Sequence, residues 1–193
     1  MGYCDWIKIN GQWDEGYCLC NYFEKNIPLG EDIYGNIFYD RKRSFLGEAL
    51  REYKYFNCYK NKFIIVKEII DGIDVWGIRN NIDIIISVPS NTKRLYQPVY
   101  EIVAELGEKL LLPYSNDTLV KTTLEETKYK SDDEKQRIIK GNIILNKKAN
   151  QKFSALLIDD IFSSGITLKE CAKVLNQDMN LDKLYVLAIT KTK

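Results

Sequence analysis

The sequence predicts an α/β domain in which a mostly parallel sheet is flanked by helices, with a small β-rich segment in front of it. Three observations carry that expectation. Ile82 to Val88, Phe153 to Ile158 and Leu184 to Ile189 are nearly unbroken apolar runs, as expected of strands buried on both faces. Helical stripes lie among them: Val99, Ile102, Val103, Leu106 and Leu110 form one, and Leu168, Cys171, Ala172 and Leu175 another. Strands alternating with helices of this length imply right-handed βαβ crossovers.

The remaining elements follow in chain order. Tyr3 to Ile9, Gly16 to Tyr22 and Ile33 to Tyr39 are rich in aromatic and β-branched residues and are separated by Asn-Gly, Pro-Leu-Gly and Tyr-Gly-Asn turn signals. Ser44 offers a helix N-cap with Glu48 near the capping-box position, ahead of Phe45, Leu46, Ala49, Leu50 and Tyr53 at helical spacing. Residues 61–78 read as a second helix that Gly72 weakens. Residues 115–140 are polar and charge-dense with a helical tail, and a loop at about 115–137 of that length inside a compact domain points to a functional lid. The expected division is a β-rich front segment, 1–43, and a core, 44–193. With no linker or repeat between them, the front segment should pack on the core.

Bulk properties narrow the chemistry. Lys and Arg number 28 against 27 Asp and Glu, so no global field attracts nucleic acid or anionic lipid, and any anion site must be local. No apolar run approaches the roughly 18 residues of a membrane span, and the N-terminus lacks the pattern of a signal peptide, so a cytoplasmic protein is expected. The chain contains no histidine, which removes Ser-His-Asp and Cys-His nucleophiles. What remains is carboxylates, hydroxyls, backbone amides, Lys and Arg.

Those groups concentrate in Ala155-Leu-Leu-Ile-Asp-Asp-Ile-Phe-Ser-Ser-Gly-Ile-Thr167. An apolar strand runs into Asp159 and Asp160, then into a short hydroxyl-rich loop, then into a helix starting near Ile166. Ser163, Ser164 and Thr167 supply hydroxyl donors. Gly165 permits close backbone approach, and the amide of Ile166 belongs to a helix N-terminus suited to a phosphate. The two carboxylates stand where they can accept hydrogen bonds from a ribose diol. A strand, a turn and a helix cap would explain Asp-Asp alone, but not the full pattern.

Ala155 to Thr167 resembles the signature with which type I phosphoribosyltransferases bind 5-phosphoribosyl-1-pyrophosphate (PRPP), with Ser163-Ser164 where that family usually carries Thr-Thr. A second stretch, Ile86-Ser-Val-Pro-Ser-Asn-Thr-Lys-Arg94, resembles the pyrophosphate loop of the ComF-like subgroup, the competence-associated members. There Ser90, Lys93 and Arg94 would meet the pyrophosphate. Leu119 to Thr123 and Arg137 to Gly141 resemble the borders of the family's flexible loop. Lys121, Lys128, Lys130, Lys135 and Arg137 would close over pyrophosphate, unless they simply line a charged surface helix. The resemblance spans about residues 44–190.

The front end departs from that subgroup, which often opens with paired Cys-x-x-Cys motifs. Here Cys4, Cys18, Cys20 and Cys58 have no such spacing and read more readily as small buried hydrophobes than as a zinc site. Trp6, Trp13 and Trp76 read as packing groups, with stacking on an acceptor base as the other role open to them.

The resemblance implies a transferase: Mg²⁺ bound through PRPP, Asp159, Asp160 and Lys121 as catalytic groups, and transfer of the phosphoribosyl group to a nucleobase-like acceptor with release of pyrophosphate. The metal would meet Asp159 and Asp160 only indirectly. A homodimer would fit the aromatic-rich front end. The alternative is a non-enzymatic PRPP-binding sensor or an accessory of DNA uptake, because one fold hosts both enzymes and regulators.

Overall fold

The protein, described here as a computed structural model, is defined over residues 5–90, 96–123 and 132–192. Its elements are β1 (Ile7–Lys8), β2 (Glu15–Asn21), β3 (Phe23–Glu31), β4 (Ile37–Arg43), α1 (Phe45–Phe56), α2 (Lys60–Trp76), β5 (Ile84–Ser87), α3 (Pro98–Leu110) and β6 (Tyr114–Ser115). They continue as β7 (Leu119–Lys121), α4 (Asp132–Ile139), β8 (Ile143–Leu145), β9 (Phe153–Phe162), α5 (Ile166–Leu175) and β10 (Leu181–Lys191). The central sheet has the order β1-β2-β10-β9-β5-β6, and every pair in it is parallel except β1 with β2.

The apolar runs sit where two-sided burial requires them. Along β9 the side chains alternate: Leu156 and Ile158 join the core layer beneath α1, α2 and α3, while Ala155 and Leu157 join the layer beneath α5. The two layers explain why polar alternation is missing from these strands. Each helix spends its apolar stripe on one layer: Leu46, Leu50 and Tyr53 of α1 on the first, Leu168, Cys171 and Leu175 of α5 on the second.

The front segment divides differently from the expected 1–43 unit. Ile7–Lys8 and Glu15–Asn21 extend the central sheet, with β2 running parallel beside β10. Leu19, fully buried in the first layer, and Cys18, fully buried in the second, make this a sheet strand. Only β3 and β4 stand apart, as an antiparallel ribbon. The strand expected from Ile33 begins at Ile37, because the Asp32 carboxylate accepts the backbone N–H groups of Tyr34 and Asn36 and winds residues 32–36 into the turn.

The helix after it starts as read. Ser44 Oγ accepts the Gly47 N–H at 3.0 Å. Glu48 does not complete a capping box, however. The Ser44 N–H goes instead to the Tyr22 carbonyl, and Glu48 pairs with Arg43 and Arg51. Gly72 lies within α2 because a Cβ there would stand 2.8 Å from two Trp6 ring carbons.

The described parts of the 115–140 region carry an antiparallel ribbon and a helix. β7 pairs with β8, and Asn142 ties the ribbon: its side-chain oxygen accepts Thr122 Oγ1–H and the Thr123 N–H, both at 2.6 Å. Leu119 and Ile143 hold it down by burying in the α5 layer. Lys128 and Lys130 lie outside the described residues, and the side chains of Lys135 and Arg137 are not described.

The tryptophans pack. Trp6, Tyr17, Trp76 and Tyr185 form a cluster of edge-to-face rings, and Trp13 folds onto its own turn with Nε1 donating to the Ile9 carbonyl. Cys18 and Cys20 are buried thiols, and burial pushes Cys18 up to about 12. Among the described residues no three Cys, Asp or Glu side chains gather as a metal site; Cys4 lies outside them.

One glycine gives a sharp test of this packing. A Cβ on Gly47 would stand 2.3 Å from the Tyr22 carbonyl oxygen, a backbone atom. Gly47→Ala gains about 1 kcal/mol of helix propensity, yet it should destabilise the protein by about 1–3 kcal/mol through overpacking. A lowered urea midpoint at unchanged slope is the expected result.

Candidate functional site

The site lies at the carboxyl ends of β9 and β5, the edge at which open α/β sheets place ligands. Strand β9 was expected to stop before Asp159. It continues to Phe162, because β10 keeps pairing with it as far as Lys191. Asp159 and Asp160 are therefore consecutive strand residues, and the alternation of the strand sends them to opposite sides of the sheet.

Asp160 faces α1. Its Oδ2 forms an ion pair with Lys54 Nζ, and the Thr190 hydroxyl donates to its carbonyl at 3.3 Å. Burial opposes the charge of Lys54, but Asp160 more than offsets it and the Lys54 pKa is raised. Asp159 faces the other layer, where its electrostatic neighbours are Lys121 and Cys171. Burial, and then the charge of Asp160, raise its carboxyl to about 7, while the Asp160 N–H at 2.8 Å, Lys54 and Lys121 pull the other way. Two adjacent carboxyls thus differ in role: one is ion-paired and the other holds its proton far more tightly than usual.

Lys121 was read as a cation closing over the ligand. It sits on β7, half-buried beside Asp159 and Cys171, and burial lowers its pKa. Among the described residues it makes no ion pair. Lys54 was not singled out from the sequence. The signal was present, since Leu46, Leu50 and Lys54 follow one another at four-residue steps along the buried face of α1.

Beyond the carboxylates, Ser163 is exposed and Ser164, Ile166 and Thr167 are half-buried around Gly165, which occupies the N-cap position of α5 with φ 73°. A Cβ on Gly165 would lie 2.7 Å from the Phe162 ring, so both the left-handed backbone and the ring packed against it require glycine. Beside this loop a depression of about 550 Å³ is lined by Ser164 and Ile166, by three lysines, Lys140, Lys169 and Lys173, and by Glu170, which pairs with Lys173 at 3.8 Å. Across the sheet edge, β5 leads into Val88-Pro89-Ser90. The Ser90 N–H donates to the Tyr100 hydroxyl and its hydroxyl to Gln97 Oε1 at 2.7 Å, fixing the loop to α3. Lys93 and Arg94 lie outside the described residues.

No family model and no curated protein matches this chain. Among solved structures, the fold is similar to adenine phosphoribosyltransferase from Thermoanaerobacter pseudethanolicus, at 12% identity and a TM-score of 0.45 over 88% of this chain and 95% of that one. Adenine phosphoribosyltransferase from Saccharomyces cerevisiae gives 13% and 0.45, over 86% and 83%. Orotate phosphoribosyltransferase from Aeropyrum pernix gives 11% and 0.40, over 81% and 71%. What this site does is argued from its own residues.

Chemically, the edge offers an anion-receiving end and a hydroxyl-receiving end. Loop hydroxyls, free amides of the first α5 turn and the lysine-lined depression suit a phosphate. The carboxylates suit hydroxyl donors. Ser87 adds a buried hydroxyl without a partner just before the Val88-Pro89-Ser90 loop.

Two outcomes are expected. Because the Asp159 pKa is raised, the native state binds its proton more tightly than the unfolded chain; that stabilisation is complete below about pH 4 and is lost as pH rises through about 7. The melting temperature of the wild type should therefore fall more between about pH 5 and about pH 8 than that of Asp159→Asn. Gly165→Ala should lower stability by about 1–2 kcal/mol from the left-handed backbone alone, read as a denaturant midpoint, with the clash against Phe162 adding to the loss.

Proposed function

We propose that the protein is a phosphoribosyltransferase that binds PRPP with Mg²⁺ at the β9–α5 edge and transfers its phosphoribosyl group to a nucleobase-like acceptor. The observation that carries this reading is the uninterrupted passage from a buried strand through two carboxyls to a glycine-capped helix N-terminus. The 5-phosphate would lie on Ser163, Ser164, Thr167 and the amides around Ile166, with the ribose hydroxyls toward Asp159 and Asp160. Pyrophosphate would lie toward Ser90, with Lys93 and Arg94.

In the reaction the bond from C1 to the pyrophosphate oxygen breaks with its electron pair leaving on pyrophosphate. The acceptor nitrogen bonds to C1 and gives up its proton to the departing pyrophosphate or to water. Positive charge develops on the ribose as in glycosyl transfer, and nearby carboxylates favour it. The donor set suits a Mg²⁺ that arrives on the ligand's phosphates, since the two carboxyls diverge and Lys54 already pairs with one. Asp159 would meet that ion only indirectly, through its bound water. When bound, the metal would neutralise pyrophosphate. The β3–β4 ribbon, which exposes Leu29, Ile33, Tyr34 and Phe38, is the part of the front segment available to cover an acceptor.

One observation favours the second reading, a PRPP-binding module without catalysis. With Asp160 neutralised by Lys54 and Asp159 protonated below about pH 7, the pair presents little net negative charge to a developing cation. Among the described residues no helix is long and apolar enough to cross a membrane.

Calorimetric titration of PRPP, with and without Mg²⁺, tests the binding step. Micromolar binding that needs Mg²⁺ is expected, and the double variant Asp159→Asn, Asp160→Asn should weaken it by at least about tenfold, as loss of charge-assisted hydrogen bonds would. Equal affinity in the double variant would remove the carboxyls from the site. Pyrophosphate release with a panel of bases then separates enzyme from sensor.

A further inference from the structure

Lys54 enters the chemistry above only as the partner of Asp160, yet it is among the most enclosed cations of the described residues. It lies in the last turn of α1, 106 residues from Asp160 in sequence, and the two paired side chains keep only 15% and 18% of their surface exposed. A lysine on the buried face of a helix costs desolvation unless something specific repays it. Its partner is a carboxylate at the sheet edge where the ligand is placed, and not a surface acid of α1.

We propose that Lys54 is a positioning residue that sets sugar selectivity, holding Asp160 by one oxygen so that the other is a fixed, charged acceptor for a pentose hydroxyl. This inference rests on the pentose-phosphate reading above. The geometry supports each part. Lys54 engages Oδ2, and Oδ1 has no hydrogen-bond partner among the described residues. The backbone of Asp160 is clamped on its other side, where Thr190 donates to its carbonyl and β10 pairs along the strand. An ion-paired carboxylate can only accept hydrogen bonds, so a sugar that lacks the donor hydroxyl leaves a partly buried charged acceptor unanswered. A site built to receive a hydroxyl rejects the analogue without it far better than an apolar pocket rejects an extra one. Asp159, on the opposite side of the strand with Lys121 and Cys171, makes no ion pair with Lys54 and feels it only as a nearby charge.

Ribose 5-phosphate, 2-deoxyribose 5-phosphate and 3-deoxyribose 5-phosphate, titrated calorimetrically into the full chain, test this. The wild type should bind ribose 5-phosphate at least about tenfold more tightly than one of the two deoxy sugars, the margin expected of a hydrogen bond to a charged group. Lys54→Met should collapse that ratio toward one while Lys54→Arg restores it; a purely structural lysine would weaken all three ligands together and leave the ratio alone. Thermal melting establishes that each variant is folded. If Lys54→Met does not fold, Asp160→Asn supplies the same comparison, and a folded Asp160→Asn that keeps the full ratio overturns the proposal. A wild type that discriminates, with Lys54→Met discriminating equally well, overturns the role of Lys54 and leaves the ligand reading intact. A wild type that binds none of the sugar phosphates overturns the pentose-phosphate reading itself.

Discussion

The course of β9 governs everything around the candidate site. It is a central strand, paired in parallel with β10 on one side and β5 on the other, so its backbone has little freedom before the sheet edge. Because β10 accompanies it to Phe162, the residues that might have formed a loose acidic loop are held in strand geometry. Alternation then assigns Asp159 to the α5 layer and Asp160 to the α1 layer. The turn that follows must reverse into α5 within three residues. Gly165 makes that reversal in the left-handed region beneath the Phe162 ring.

Electrostatics follow from that assignment. Two adjacent carboxyls in one apolar environment would raise each other's pKa. Here a single lysine from α1 answers one of them, and the other takes up the strain as a raised pKa. A buried carboxyl perturbed in this way marks a candidate functional site, and the position at the carboxyl edge of a parallel sheet makes the same point independently. Lys121 belongs to this arrangement as well. Its ribbon is pinned by Asn142 and by Leu119, which sets the lysine beside Asp159.

The front of the chain shows a different compromise. β2 extends the central sheet and is covered by α2, where Gly72 admits Trp6. β3 and β4 pair only with each other and expose apolar side chains on a two-stranded ribbon, an arrangement of marginal stability on its own. The ribbon is joined to the core at its base. Ser44 donates its N–H to the Tyr22 carbonyl, and Arg43 lies over the rings of Tyr22 and Phe23.

The α/β class, the three central strands, the helices α1, α3 and α5, and the hydroxyl-glycine loop were all legible in the chain. Each of these rests on a local signal: an apolar run, a stripe at helical spacing, or a residue type that a turn demands. The rest came from how the elements pack together. Where β9 ends depended on how far β10 runs beside it. Whether residues 7–21 belonged to the sheet depended on a parallel pairing with a strand some 170 residues away. The partner of Asp160 is a lysine on another element, and the pinning of Lys121 comes from its pairing with Ile143 on β8. Pairing and charge partnership are contacts between distant segments, and no local pattern encodes which segment will arrive.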